Sequence, residues 1–229
     1  LPFPTLVAFL LCAWKGGLQN LLDELFSSLG TTLQRTVGKS ALSQARQKVK
    51  ASAFVELNQG LLDLAEAHWP TPRWLGLRLV ACDATTLRLP NNLKTAAEFG
   101  LQHDRHGLPF VMARALGLYD TASGRLFKTV LADYHVAERT LLAGLLPELG
   151  LNDLLVLDRG YPALWLFALM HQLGRPFLAR IDGAQWPEVQ AFTASGLAEQ
   201  VVTRPLGRDA LHRARKQGLE LAQNDVSFR

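Results

Sequence analysis

The chain has 229 residues, 48% of them hydrophobic and 19% charged, with 24 Lys+Arg against 20 Asp+Glu. This length suits one large domain, or one with a smaller companion, and buries a sizeable core without staples. The composition excludes a disordered chain, and two cysteines in apolar runs, Cys12 and Cys82, exclude a disulfide scaffold or a zinc finger and suit a reducing compartment. The net charge of +4 does not by itself identify a nucleic-acid partner.

Residues 1–14 are apolar but carry no basic leader region and are too short to span a bilayer. A signal-peptide core is the lesser reading, and a buried helix of a soluble, cytoplasmic protein is the better one. Residues 1–69 read as helical. Leu18, Leu21, Leu22, Leu25 and Phe26 recur at helical spacing, with Gly30 placed to close that helix. Ser40 is the expected N-cap of a helix over 41–49. A longer helix over 53–68 carries Phe54, Leu57, Leu61, Leu62 and Ala65 on one side. Pro70 and Pro72 forbid its continuation, which puts a domain boundary near 69–73.

Beyond that boundary, short runs replace the helical period. Residues 77–89 read as a strand, and 111–119 with 125–133 as a hairpin turning at Asp120-Thr-Ala-Ser-Gly124. A helix follows over 136–146, then the apolar strand 154–157. Pro162 is placed to open a helix reaching Leu173 and closed by Gly174, and 176–181 forms one more strand. The order β-β-β-α-β-α-β implies an α/β fold with a mixed sheet flanked by helices, following the helical N-terminal domain. Signals weaken from 182 onward, and Asp225-Val226-Ser227-Phe228-Arg229 reads as a strand just beginning, so both ends of the chain are expected to be cut.

Two aspartates break ordinary burial rules. Asp83 interrupts Leu79-Val80-Ala81-Cys82-Asp83-Ala84-Thr85-Thr86-Leu87, and Asp158 closes Leu154-Leu155-Val156-Leu157 before Arg159-Gly160-Tyr161-Pro162. A carboxylate inside a central strand costs several kcal/mol unless compensated, and a hard divalent cation compensates it. The first and fourth strands of this order can pair in parallel, since a helical crossover precedes the fourth, and this would bring both carboxylates to one sheet edge. That is the arrangement of two-metal phosphoryl transfer. The plainer alternatives are a turn or N-cap role for Asp158, and pairing of Asp83 with Arg88 or another base.

The strings Asp83-Ala84-Thr85-Thr86-Leu87-Arg88-Leu89-Pro90, Leu157-Asp158-Arg159-Gly160-Tyr161 and Phe177-Leu178-Ala179-Arg180 together resemble the insertion-sequence-4 type of bacterial DDE transposases. The N-terminal segment Lys39-Ser40-Ala41-Leu42-Ser43-Gln44-Ala45-Arg46-Gln47-Lys48 is similar to that family's as well. The resemblance implies an RNase H-like catalytic fold over 74–181, preceded by a DNA-binding helical domain over 1–69 and followed over 182–229 by the start of a strand-rich insertion. It implies Mg²⁺ (or Mn²⁺) dependence, with Asp83 and Asp158 as the first two catalytic, metal-binding acids. Double-stranded transposon-end and target DNA would be the partners, bound by a homodimer on paired ends in the bacterial cytoplasm, at the nucleoid. One departure stands out. The family's third acid lies in a downstream Tyr-x2-Arg-x3-Glu-x6-Lys pattern that does not occur here, as if the chain were truncated before it; Glu188, Glu199 and Glu220 lack the surrounding motif.

Residues 31–55 hold Arg35, Lys39, Arg46, Lys48 and Lys50 with no acid, a cluster that attracts phosphate. A helix-turn-helix around Gly38, with Gln44, Arg46, Gln47 and Lys48 facing out, is one arrangement of it; a solvated helix face is the other. Arg159 and Arg180 are placed to touch phosphates or orient the acids. A sparser basic patch comprises Arg204, Arg208, Arg213, Arg215 and Lys216. His103-Asp104-Arg105-His106 lacks a third zinc ligand nearby and reads as a polar loop bordering the sheet's active edge. No nucleotide-binding glycine loop or Gly-x-Ser-x-Gly elbow occurs. An aspartate-nucleophile phosphatase would want a second Asp where Thr85 stands. The remaining alternative is a non-catalytic DNA-binding remnant or inhibitor of the intact enzyme.

Overall fold

The computed structural model describes residues 2–12, 17–28, 37–222 and 225–229. The chain divides into two compact units, Leu1–Asp63 and Leu64–Arg229. No helix among the described residues is long and apolar enough to cross a membrane.

The first unit is built on helices α1 (Phe3–Leu11), α2 (Leu18–Ser28), α3 (Lys39–Gln47) and the start of α4 (Ser52–His68). Leu6, Phe9, Leu21, Leu22, Leu25 and Leu42, spaced to share a face on each helix, meet in one buried cluster. Ser40 does not cap α3 but lies within it. Gly38 occupies the cap position and offers no side chain, and the Gln19 side chain of α2 accepts the Lys39 N–H instead, at 3.1 Å. A tertiary contact thus does the work expected of a local cap. Gly30 and Arg35 lie outside the described residues. The stripe expected to bury α4 does not: none of its residues is buried, and Leu57 and Leu61 are exposed.

The second unit is a mixed six-stranded sheet with helices, which is compatible with an RNase H-like fold. It comprises β1 (Arg78–Leu89), α5 (Leu93–Phe99), β2 (Leu101–His103), β3 (Pro109–Asp120), β4 (Leu126–Asp133), α6 (Glu138–Leu145), β5 (Asp153–Leu157), α7 (Leu164–Gln172) and β6 (Phe177–Ala179). The strand order is β2-β3-β1-β5-β6, with β4 also paired to β3. β1 runs antiparallel to β3 and parallel to β5, and β5 parallel to β6. Residues alternate across the pleat. Val80, Cys82, Leu116, Leu118, Leu155 and Leu157 form one buried face, covered by Leu141, Leu142 and Leu145 of α6 and Leu166, Phe167 and Met170 of α7.

The hairpin and the crossover helices fall where the sequence pattern puts them, but α5 and β2 were not anticipated. Asn92 caps α5 by accepting from the N–H groups of Lys94 and Thr95, and the Thr95 hydroxyl accepts from the Asn92 N–H. This is a capping box with Thr in place of the usual Glu or Gln, so the common signature misses it. Pro162 precedes α7 rather than opening it, since Ala163 holds the cap position. Residues 182–229, expected to begin a strand-rich insertion, hold α8 (Pro187–Ser195), β7 (Val202–Arg204), α9 (Arg208–Arg215) and β8 (Val226–Phe228), with β7 and β8 forming a two-stranded antiparallel ribbon.

A buried ion pair sets the register between β1 and β5. Arg78 and Asp153 are direct cross-strand partners, and the guanidinium donates through Nε at 2.8 Å and Nη2 at 2.6 Å to the Asp153 carboxylate, which is 3% exposed. Asp153 also accepts from the Gly150 N–H at 2.7 Å, and the guanidinium lies 4.4 Å from the Phe127 ring centroid. Hydrogen bonding to Asp153 holds the Arg78 guanidinium even more firmly protonated than usual, against the opposing effect of burial. Breaking a buried pair by removing one partner strands the other charge. Asp153→Ala is therefore expected to destabilise the fold by about 3–5 kcal/mol in chemical denaturation, far more than loss of the exposed Lys128–Glu148 pair.

Arg125, just before β4, closes the C-terminus of α4. Its Nη2 donates to the carbonyls of Trp69 (2.6 Å) and Ala65 (3.3 Å), and its Nη1 to Glu66 (3.0 Å) and to the Thr71 hydroxyl (3.3 Å). What burial Glu66 has raises its pKa, but hydrogen bonds from the Thr71 N–H and hydroxyl, and then the charges of Arg73 and Arg125, outweigh this and leave it lowered. A lowered folded-state pKa gives stability that is complete above the ordinary glutamate value and disappears as the pH falls through the folded one. Glu66→Gln should lower stability at neutral pH and flatten its decline on acidification, as read by thermal melts from pH 7 to pH 3.

Candidate active site

Asp83 lies on β1 and Asp158 immediately follows β5. Parallel pairing runs from Arg78↔Asp153 to Ala81↔Val156, two residues short of Asp83 and of Asp158. β5 and β6 pair up to Leu157↔Ala179, and the Arg180 N–H donates to the Leu157 carbonyl at 3.0 Å. Continued past the last paired residues, this register would carry Asp83, Asp158 and Arg180 towards one another at the same end of three adjacent strands. Gly117 of β3 faces Asp83 on its other side.

Both aspartates are exposed. The burial penalty expected for a carboxylate within a central strand is therefore not incurred, because Cys82 and Ala84 on either side turn to the core while Asp83 points to the opposite face of the sheet. Asp83 Oδ1 accepts from the Ala84 N–H at 2.9 Å, and Asp158 Oδ1 from the Gly160 N–H at 2.8 Å. Each carboxylate thus has one oxygen fixed by backbone. Arg88, the alternative partner of Asp83, instead stands 5.4 Å from the Phe110 ring centroid.

The turn after Asp158 is held by groups that the sequence did not single out. Arg139, in the first turn of α6, donates to the Gly160 carbonyl through Nε at 3.0 Å and Nη2 at 2.7 Å. A Cβ at Gly160 would lie 3.0 Å from Asp158 Oδ1, so any larger residue there would push the Asp158 carboxylate aside by a few tenths of an ångström. Beneath the aspartates, Cys82 Sγ and the Tyr161 hydroxyl lie 3.6 Å apart in the core. Burial pushes the Cys82 thiol up to about 12, against the effect of the Tyr161 hydrogen bond and with help from the charges of Asp83, Glu138 and Asp158. Burial, Cys82 and the charges of Glu138 and Asp83 likewise push Tyr161 well up. Glu138, beside Arg139, thus adds a third negative charge near this point; its Oε1 lies 3.9 Å from Arg114 Nη1. The only early signal for Glu138 and Arg139 is an acid and a base side by side at the start of the crossover helix.

Two carboxylates and open solvent form an oxygen donor set that suits a hard cation, which retains several waters when bound. Among the described residues no group of three His, Cys, Asp or Glu side chains is arranged to hold a metal ion. Of the other carboxylates considered, Glu188 pairs with Arg204 and Glu199 with Arg229. Arg159 and Arg180 are exposed, as are Thr85 and Thr86. Lys39, Arg46, Lys48 and Lys50 are exposed in the first unit, and Gln44 and Gln47 face out with them.

No family model matches the chain. It is 26% identical over 176 residues to the transposase InsG for insertion sequence element IS4 of Escherichia coli (strain K12). The similarity covers 75% of this chain and 40% of that protein, so the chain spans about two fifths of the relative's length. This distant likeness supports a relationship to transposases of the insertion-sequence-4 type.

The Cys82–Tyr161 contact can be read chemically without any substrate. Cys12 is exposed and Cys82 is buried, and thiolate is the reactive form of cysteine. At pH 8 a maleimide should modify Cys12 alone in the folded protein and Cys82 only after denaturation. Tyr161→Phe should leave Cys82 protected, because burial rather than the phenol is the main cause of its shift.

Proposed function

We propose that this chain is a portion of an insertion-sequence-4 type DNA transposase and carries two of the acids of a Mg²⁺-dependent DNA-cutting and DNA-joining centre of the DDE type. The observation that supports this most directly is the parallel pairing of β1 with β5, which runs towards Asp83 and Asp158 from two motifs far apart in sequence. Similarity to an insertion-sequence transposase supports it independently. Since the chain spans two fifths of that relative, complete transposition is ascribed to the longer protein.

Asp83 and Asp158 would hold Mg²⁺ or Mn²⁺ through their outward oxygens. A hard cation bound there supplies charge neutralisation at the scissile phosphate and activation of the attacking oxygen. Arg139, by anchoring the Gly160 carbonyl, keeps the Asp158 turn from rotating its carboxylate away from β1. Arg180, at the same end of the strands, and Arg159 are placed to meet phosphate oxygens that the aspartates alone would repel. Lys39, Arg46, Lys48 and Lys50 would grip the element end through its backbone, with Arg35 in the same basic segment. Two copies on paired element ends complete the proposed assembly.

The test separates metal from DNA. Mn²⁺ binding, followed by water-proton relaxation, should weaken on the order of tenfold or more in Asp83→Asn and in Asp158→Asn, while metal-free DNA binding holds or tightens as a negative charge is removed. Unchanged Mn²⁺ binding in both variants would overturn the catalytic assignment. DNA binding without any metal uptake by the unaltered chain would favour a non-catalytic DNA-binding remnant or inhibitor.

A further inference from the structure

We infer that the exposed face of α9 is a docking strip for the phosphate backbone of duplex DNA, distinct from the strand-end aspartates. Its inward face is apolar: Ala214 is buried, and Ala210 and Leu211 pack on the same core as α7. Its outward face carries Arg208, His212, Arg213, Arg215 and the capping Lys216, all exposed, against the single acid Asp209. Among the described residues, none of Arg208, Arg213, Arg215 or Lys216 forms an ion pair. Arg204, which the sequence groups with them, is already committed. Its Nε lies 3.0 Å from Glu188 Oε1, and its guanidinium lies 5.5 Å from the Trp186 ring centroid.

Helix stability accounts for Arg213, in the last turn and four residues after Asp209, and for Arg215, but not for Arg208. Cations in the last turn complement the helix dipole, but Arg208 stands at the opposite, positive end, where a cation is unfavourable. Like charges three and four residues apart also repel. Gly207 at the N-cap brings no side-chain hydrogen bond to the first-turn N–H groups, so Arg208 and those groups share an unmet demand for an anion. Arg208 and Arg215 are seven positions apart, two helical turns and about 10.5 Å along the axis, so they stand on the same side of α9 at its two ends. α9 has no Phe, Tyr or Trp on which a base could stack, His212 being its one ring, so its charges favour duplex backbone over single strands and carry no sequence preference.

This inference rests on the reading that the protein acts on DNA. Fluorescence anisotropy of the full chain on a duplex, titrated across NaCl concentrations, tests it. Each phosphate contact contributes about 0.9 to the slope of log K against log salt. Replacing Arg208, Arg213, Arg215 and Lys216 by Gln should make the slope shallower by up to about 3.6, equally on unrelated sequences. Arg208→Lys, Arg213→Lys and Arg215→Lys together should keep the slope, because charge and not fork geometry is used. Circular dichroism melts establish that the variants remain folded. A folded Gln variant with an unchanged slope overturns this inference alone. An unaltered chain that binds no duplex even at low salt overturns both it and the DNA reading.

Discussion

The geometry of the second unit depends on one buried ion pair. Arg78 and Asp153 open the parallel pairing of β1 with β5, joined by two hydrogen bonds and held against the Phe127 ring. A pair of this kind is weak evidence for net stability, because desolvation offsets its Coulomb energy, and its surer contribution is to penalise alternatives. A slip of one residue would put Asp153 opposite Leu79, strand both charges, and turn the side chains of β5 to the wrong face. Asp83 lies five residues beyond Arg78 and Asp158 five beyond Asp153, so the register held at one end of the strands directs both acids towards the same end of the pair.

Alternation across the pleat then separates function from support. Cys82 and Asp83 are consecutive residues, yet one lies in the core and the other in solvent. The same division recurs after β5, where exposed Asp158 is followed three residues later by Tyr161, which returns to the core beside Cys82. The carboxylates are exposed to water, while the thiol and phenol below them are buried and shifted upward by that burial. The exposed pair carries no burial penalty, and the turn after Asp158 is tied down by Arg139.

Cations are divided between structure and surface in the same unit. Arg78, Arg125 and Arg204 are committed to carboxylates, carbonyls or aromatic rings. Arg180 and the outer face of α9 are free of ion pairs among the described residues, so a modest net charge still leaves locally uncompensated cations at the surface.

What the sequence determined by itself was local. Alternating apolar runs located the strands, Asp120 to Gly124 marked the hairpin, and two aspartates among aliphatic residues marked the strand ends, because periodicity and turn chemistry act over a few residues. The parallel neighbourhood of β1 and β5 also followed, since a helical crossover permits it. Tertiary structure decided the rest. The Arg78–Asp153 pair spans 75 positions, Arg139 reaches the Gly160 carbonyl across 21, and Gln19 caps α3 across 20. None of these leaves a local pattern, because each partner is an ordinary residue until the fold brings it within hydrogen-bonding distance. For the same reason Asp83 reads from sequence as a costly buried charge and is in fact exposed. How far helices cover a strand is set by their packing, which strand composition does not encode.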